Sequence, residues 1–296
     1  MYHIERRQFL ATSAVAAGVA LAGPLAQPSH AAATRGAPSA EKLGWRLGCQ
    51  AYSFNRFTFF EAVDKNASLG LKYLEMYPGQ KLSPQQPEVR VGHDMSAEAR
   101  QAVKDKLAQA NTRLVCYGVV GLSKDEKASR KVFDFAKEMG IEVIVSEPRQ
   151  DAFDTIERLC EEYGISVALH NHPKPSPYWN PDTVLDACKG RSKRIGACAD
   201  TGHWMRSGIE PLAAVRKLQG RIISFHFKDL NTFGPGAHDV PWGTGKAAIR
   251  EILKEVHRQG LRAPFSIEYE YNWENSLPEI AQCVAYFEKV AAELAG

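Results

Sequence analysis

The stretch KEMGIEVIVSE, Lys137 to Glu147, passes from charged residues through a glycine into Ile141-Glu142-Val143-Ile144-Val145 and stops at a glutamate. It reads as the end of a helix, a left-handed glycine cap and a short buried strand. The same phrase returns in ASLGLKYLEM (Ala67 to Met76), EEYGISVALH (Glu161 to His170) and HRQGLRAPFSIE (His257 to Glu268). A helix-to-strand unit that recurs in this way is half of a repeated βα module. Working outward, apolar runs predict strands at Arg46–Ala51, Tyr73–Met76, Arg113–Tyr117, Val143–Ser146, Ser166–Leu169, Ile195–Ala199, Ile222–Phe225 and Phe265–Ile267. Between them SAEARQAVKDKLAQA, SRKVFDFAKEMG and AAIREILKEVHRQG carry apolar residues at helical spacing. Eight such alternations predict an α/β fold, a (β/α)8 TIM barrel forming a single domain over 45–296. The competing arrangement, a doubly wound open sheet, is weakened by the absence of a Gly-x-Gly-x-x-Gly turn after the first strand.

The segment before the barrel has a different character. Arg6-Arg7 precede Phe9-Leu10 and an alanine- and glycine-rich run, and SHAAA supplies small residues at Ala31 to Ala33. Residues 1–33 therefore read as a cleavable leader, a twin-arginine-type signal peptide, and 34–44 as a linker. Its apolar run falls short of the about 20 residues a spanning helix needs, so no stable membrane anchor is expected. The implied destination is the periplasm. A net charge of +3 on 296 residues, with lysine and arginine interleaved among acids, gives no basic stripe and no nucleic-acid partner. The six cysteines form no C-x-x-C pair, which argues against a thiolate metal site; a Cys188–Cys198 bridge stays open.

In a barrel of this kind, chemistry sits where strands end and βα loops begin. Glu75 ends the second strand, Glu147 the fourth, and His170 and His172 the fifth. Asp200 and His203 follow the sixth, His226 and Lys228 the seventh, Glu268 and Glu270 the eighth. Convergence of so many acids on one partly dry mouth is unfavourable unless a cation compensates them. One divalent metal ion does so most simply. Carboxylates with imidazole and no thiolate suit Mn2+, Mg2+ or Co2+, with Zn2+ also possible. Neutralisation by Lys228 and Arg206 is the alternative.

These residues resemble the xylose isomerase-like barrels, the sugar phosphate isomerase/epimerase family with AP endonuclease family 2 relatives. The resemblance rests on Glu147, DTGHW (Asp200 to Trp204), HFKD (His226 to Asp229) and IEYE (Ile267 to Glu270). It implies Glu147, Asp200, His226 and Glu268 as metal ligands and His203 as a substrate contact. It also implies Glu147 and Glu268 as the acid–base pair of a proton abstraction next to a carbonyl, through an enediolate. His172, Lys228 and Glu75 are expected as further substrate-binding residues, and Trp179, Tyr178, Trp204 and Trp242 lie in loops where they could stack on a sugar ring.

A nuclease would need a basic groove, which this chain lacks. PWGTGKAAI (Pro241 to Ile249) offers glycines before a helix without the full phosphate-loop pattern, so it reads as a capping loop and the substrate as unphosphorylated. The expected activity is a metal-dependent sugar isomerase or epimerase on a small-molecule sugar substrate. A lyase or dehydratase acting by β-elimination on a 3-keto glycoside, and a non-catalytic periplasmic sugar-binding protein, remain as alternatives; a homo-oligomer is compatible with all three.

Overall fold

The computed structural model describes residues 36–296; the expected leader, 1–33, lies outside them. The strands are β1 (Arg46–Gln50), β2 (Tyr73–Met76), β3 (Lys81–Ser83), β4 (Gln86–Arg90), β5 (Arg113–Tyr117), β6 (Val143–Ser146), β7 (Ser166–His170), β8 (Ile195–Asp200), β9 (Ile222–Phe227) and β10 (Pro264–Ile267). Eight of them pair in parallel and close in the order β1-β10-β9-β8-β7-β6-β5-β2. The TIM barrel expected from the repeated phrase is therefore present, and each glycine of that phrase, Gly70, Gly140, Gly164 and Gly260, has the positive φ a left-handed cap requires. The antiparallel hairpin β3–β4 is an insertion after β2 that lies outside the barrel sheet.

Among the described residues ten helices surround the barrel: α1 (Pro38–Lys42), α2 (Phe59–Ser68), α3 (Ala97–Gln109), α4 (Glu126–Glu138), α5 (Phe153–Tyr163), α6 (Pro181–Cys188), α7 (Thr201–Arg206), α8 (Pro211–Lys217), α9 (Ile249–Arg258) and α10 (Leu277–Ala295). Their starts follow local chemistry. Thr58 and Glu61 form a reciprocal capping box on α2, and Ser96 and Asp125 cap α3 and α4 with their side-chain oxygens. The stripe Ile280, Cys283, Val284, Phe287, Val290, Ala291 is the buried face of α10, and Phe287 meets Trp45 and Phe265 at ring distances of 5.7 and 5.1 Å. The barrel interior is filled by small side chains, among them Val115, Val143, Ala168 and Cys198.

Residues expected as a linker need correction. Gly36 donates to Leu69 O at 2.9 Å, Ala37 and Ala40 are buried, and α1 packs under Glu288 of α10, so the ordered body begins ahead of residue 45. All six cysteines are buried and free, Cys188 and Cys198 included. No helix among the described residues is long and apolar enough to cross a membrane.

Candidate active site

Closure of the sheet brings the charged strand ends to one mouth, and register decides which of them meet. Asp200 lies beside His226, His226 beside Ser266, and Glu75 beside Gln50. Asp200 ends β8 and caps α7 with the same side chain. One carboxylate oxygen accepts the His203 N–H at 2.7 Å; the other, Oδ2, lies 3.0 Å from Lys228 Nζ and 3.5 Å from Nε2 of both His170 and His203. Asn171 fixes this residue from behind, donating to Asp200 O at 3.0 Å and accepting from Asp200 N–H at 2.8 Å. Sequence reading passed over Asn171 because it does not titrate; its place between two histidines was the available signal.

His226 is clamped on both ring nitrogens. Its Nε2 meets Glu75 Oε1 at 2.8 Å and its Nδ1 faces Glu268 Oε2 at 3.0 Å. Glu75 also accepts from Gln50 and Ser266 and is fully buried. A carboxylate on the outer nitrogen of an imidazole orients the ring and raises its basicity toward whatever the inner nitrogen binds. Lys228, fully buried, extends its ammonium among three carboxylates, at 2.6 Å from Glu268, 3.0 Å from Asp200 and 2.9 Å from Glu270. Burial disfavours the charged amine, yet these three acids hold its pKa well above the ordinary value.

Across the mouth, Glu147 Oε1 bonds His172 and lies 3.1 Å from His170 Nδ1, while Oε2 accepts from Ser176 at 2.8 Å. Burial alone would raise this carboxyl, but hydrogen bonds from the two histidines win and lower it. For His170 burial works the other way and opposes protonation, yet its contacts with Asp200 and Glu147 push it up to about 9. Burial decides His203, whose pKa falls well below the ordinary value despite Asp200.

A cavity of about 280 Å3 opens over these groups, lined by Tyr52, Tyr77, His172, His203, Glu268 and Glu270 among others. A larger one, about 550 Å3, lies at the opposite end of the strands among Arg46, Glu142, Arg194 and Arg262. Volume does not select the site; the convergence of acids and imidazoles does.

Four buried atoms at the floor of the mouth, His170 Nε2, Asp200 Oδ2, His226 Nδ1 and Glu268 Oε2, make no well-directed hydrogen bond, although the Lys228 ammonium lies close to both carboxylate oxygens and His226 Nδ1 faces Glu268. Unsatisfied buried donors and acceptors are rare in folded proteins. Two carboxylate oxygens and two imidazole nitrogens make a donor set that fits a divalent cation, and His170, Asp200, His203 and Glu268 present candidate ligand atoms within 4.8 Å of one another.

A family model described as Xylose isomerase-like TIM barrel matches residues 63–289. The chain belongs to the xylose isomerase-like TIM barrel family. Its relatives include the probable L-ribulose-5-phosphate 3-epimerase UlaE of Mycoplasma pneumoniae, 27% identical over 118 residues, or 38% of this chain and 36% of that protein. The chain thus matches little more than a third of that relative's length. A crystal structure of a Parabacteroides distasonis protein is 31% identical with a TM-score of 0.68, covering 83% of this chain and 99% of that one. A xylose isomerase-like barrel protein from Mycobacterium smegmatis, solved with magnesium, shares the fold at 14% identity and a TM-score of 0.67, covering 85% and 98%.

Within this xylose isomerase-like barrel, the expected site residues lie at different depths. Glu147 does not join Asp200, His226 and Glu268: its oxygens are taken by His172, His170 and Ser176, and His170 stands between it and Asp200. Glu75, expected to touch substrate, is fully buried behind His226 and outside the cavity lining. Lys228 sits beneath Glu268 and Glu270 and is not part of the cavity lining. His172 and His203 do line it. Trp204, Trp242 and Tyr178 are buried packing residues, and Trp179 lies under the Lys174 ammonium at 3.9 Å. The aromatic side chains at the cavity are Tyr52 and Tyr77, from loops the sequence gave no reason to single out.

Proposed function

We propose that this chain is a metal-dependent sugar isomerase or epimerase that removes a proton from the carbon beside a carbonyl of an unphosphorylated sugar or sugar derivative. The observation that carries the reading is the convergence of buried imidazole nitrogens and carboxylate oxygens from His170, Asp200, His226 and Glu268, none in a well-directed hydrogen bond, beneath a cavity that Glu268 itself lines. These four residues would hold a divalent ion such as Mn2+, Mg2+, Co2+ or Zn2+. Bound there, the ion supplies Lewis-acid polarisation of a sugar carbonyl. Glu75 holds the His226 ring in place.

Glu268 is the base on one side of the cavity. Opposite it, His172 presents an imidazole backed by the Glu147 carboxylate, a pair able to deliver or accept the second proton. Glu147 thus enters the acid–base chemistry through His172. His203 offers a hydrogen bond to a substrate oxygen. The cavity lining includes Glu268 and Glu270 and no lysine or arginine, which supports a substrate without phosphate. Delivery to the periplasm by the Arg6-Arg7 leader belongs to the same proposal, since unphosphorylated sugars are met there.

The test combines metal content with isotope exchange. The purified protein is expected to carry about one divalent ion per chain, with affinity lowered ~10–100-fold or more in Asp200→Asn and His226→Ala. In deuterated water a ketose substrate should gain carbon-bound deuterium and yield an isomer, and Glu268→Gln at saturating metal should abolish both, because an amide cannot accept the proton. Unchanged metal affinity in both ligand variants removes the metal site from the proposal. Retained exchange in Glu268→Gln removes the base.

A further inference from the structure

We propose that the cavity mouth carries a subsite for a second ring, so that the substrate is a keto glycoside in which the reacting sugar, bearing its carbonyl away from the glycosidic carbon, is joined to another ring. This rests on the reading that the cavity acts on a sugar, and it names the class of sugar.

Large exposed apolar side chains are few among the described residues: Tyr52 at 38%, Phe233 at 41% and Tyr271 at 46% exposure. They follow β1, β9 and β10, three strands that are consecutive around the barrel. The most exposed aromatic side chains therefore share one sector of the rim. Tyr52 joins that sector to the reacting centre, since it lines the cavity with His203 and Glu268. Tyr77 and Trp273 both stand at 83° to the Tyr52 ring, with centroids at 5.1 and 5.6 Å, which forms an aromatic corner at the opening. Tyr271 stacks on His238 at 4.3 Å and 26°, tying the loop after β9 to the loop after β10.

The floor groups take the polar face of a sugar, whereas an aromatic corner takes a flat apolar face. A cavity of about 280 Å3 is at the small end for ligand sites, so a ring attached to the reacting sugar would extend toward the corner. Continuity through Tyr52 ties this occupant to the cavity. A second copy of the chain would instead cover the rim without regard to sugar.

The experiment measures, by calorimetry on the metal-loaded protein, the affinities of methyl and 4-nitrophenyl glycosides of glucose, galactose, mannose and xylose. The ratio of the two affinities for one sugar reports the second ring alone. The wild type is expected to favour the 4-nitrophenyl member of a pair roughly tenfold, the ratio falling toward one in Trp273→Ala and Tyr271→Ala and returning in Trp273→Phe. A pair that binds with equal affinity, or a ratio that survives both alanine variants, overturns the subsite and leaves the proposed function standing. Absence of binding by any of these glycosides overturns the subsite, while the metal-content and isotope-exchange measurements decide the proposed function separately. Sedimentation of wild type and Trp273→Ala closes the remaining route: a dimer lost in the variant assigns the rim to self-association and overturns the proposal.

Discussion

Arg206 has no acceptor atom, and this settles the state of His203. The guanidinium lies 3.1 Å from His203 Nδ1, so Nδ1 accepts and the ring proton sits on Nε2, facing Asp200 and the cavity. A neutral donor is what a hydrogen bond to a sugar oxygen requires. Arg206 also pairs with Glu270 at 2.7 Å and Asp239 at 3.1 Å, and through Glu270 it reaches Lys228. Asp239 is fully buried, its Oδ1 lacks a partner, and burial outweighs Lys228 and Arg206 to push its pKa up to about 7. An aspartate in the unfolded chain titrates near ~3.9. Folding thus takes up a proton between the two values, and the stability this contributes is present below ~3.9 and lost as pH rises through about 7. Asp239→Asn removes the titration. The melting temperature of the variant relative to wild type should therefore rise between pH 5 and pH 8, by the equivalent of about 2 kcal/mol. A difference that is constant or falls with pH refutes the assignment.

At the scale of elements, the loop from β9 to α9 shows what spacing reveals and what it hides. PWGTGKAAI reads as a capping loop and not as a phosphate cradle, and the structure supplies the reason. The N–H groups of Gly243, Gly245 and Ala247 donate to the Asp229 carboxylate at 2.8, 3.0 and 2.9 Å, so they are not free for an anion. A Cβ on Gly245 would stand 2.2 Å from Asp229 Oδ1, whereas one on Gly236 in the same loop meets nothing within 4 Å. Gly245→Ala is expected to lose about 1–3 kcal/mol in urea unfolding. Gly236→Ala should stay within about 0.5 kcal/mol. Equal effects would mean that the loop is not built on Asp229.

Most barrel strands were legible because a glycine cap precedes an aliphatic run, and before β5 Asn111 takes the left-handed position with φ 49°. The β3–β4 hairpin was not, since KLSPQQPEVR has two prolines and a largely exposed second strand, with neither strand alternation nor a buried run. Site residues were legible as a set but their mutual contacts were not, for a related reason. Position along a strand says that Glu75, Glu147 and Lys228 end near the mouth, but only register between strands says that Glu75 backs His226 and that His170 separates Glu147 from Asp200.

On the scale of the whole molecule, what sequence could not show is contact between its two ends. Local reading made 34–44 a linker because Ala37 has no capping side chain and five residues are too few for a helix to hold by itself. The cap comes from 249 residues away, where Glu288 of α10 accepts from Ser39 N–H at 2.9 Å and Ala40 N–H at 3.3 Å. Ala40 lies fully buried against the barrel's outer core, and Trp45, which opens β1, shares a cluster with Phe265 and Phe287. The first and last elements of the described body therefore close on each other beside the β1–β10 seam, where the sheet joins its own beginning. Glu288→Ala in the full chain is expected to lose about 1 kcal/mol, as for removal of an N-cap. A chain that begins at residue 45 should melt well below one that begins at residue 34, because it loses both the cap and the cover over the seam. The comparison reads α1 directly: equal melting temperatures for the two chains, together with an unaffected Glu288→Ala, would return 34–44 to the status of a linker and leave the seam to be held by strand pairing alone.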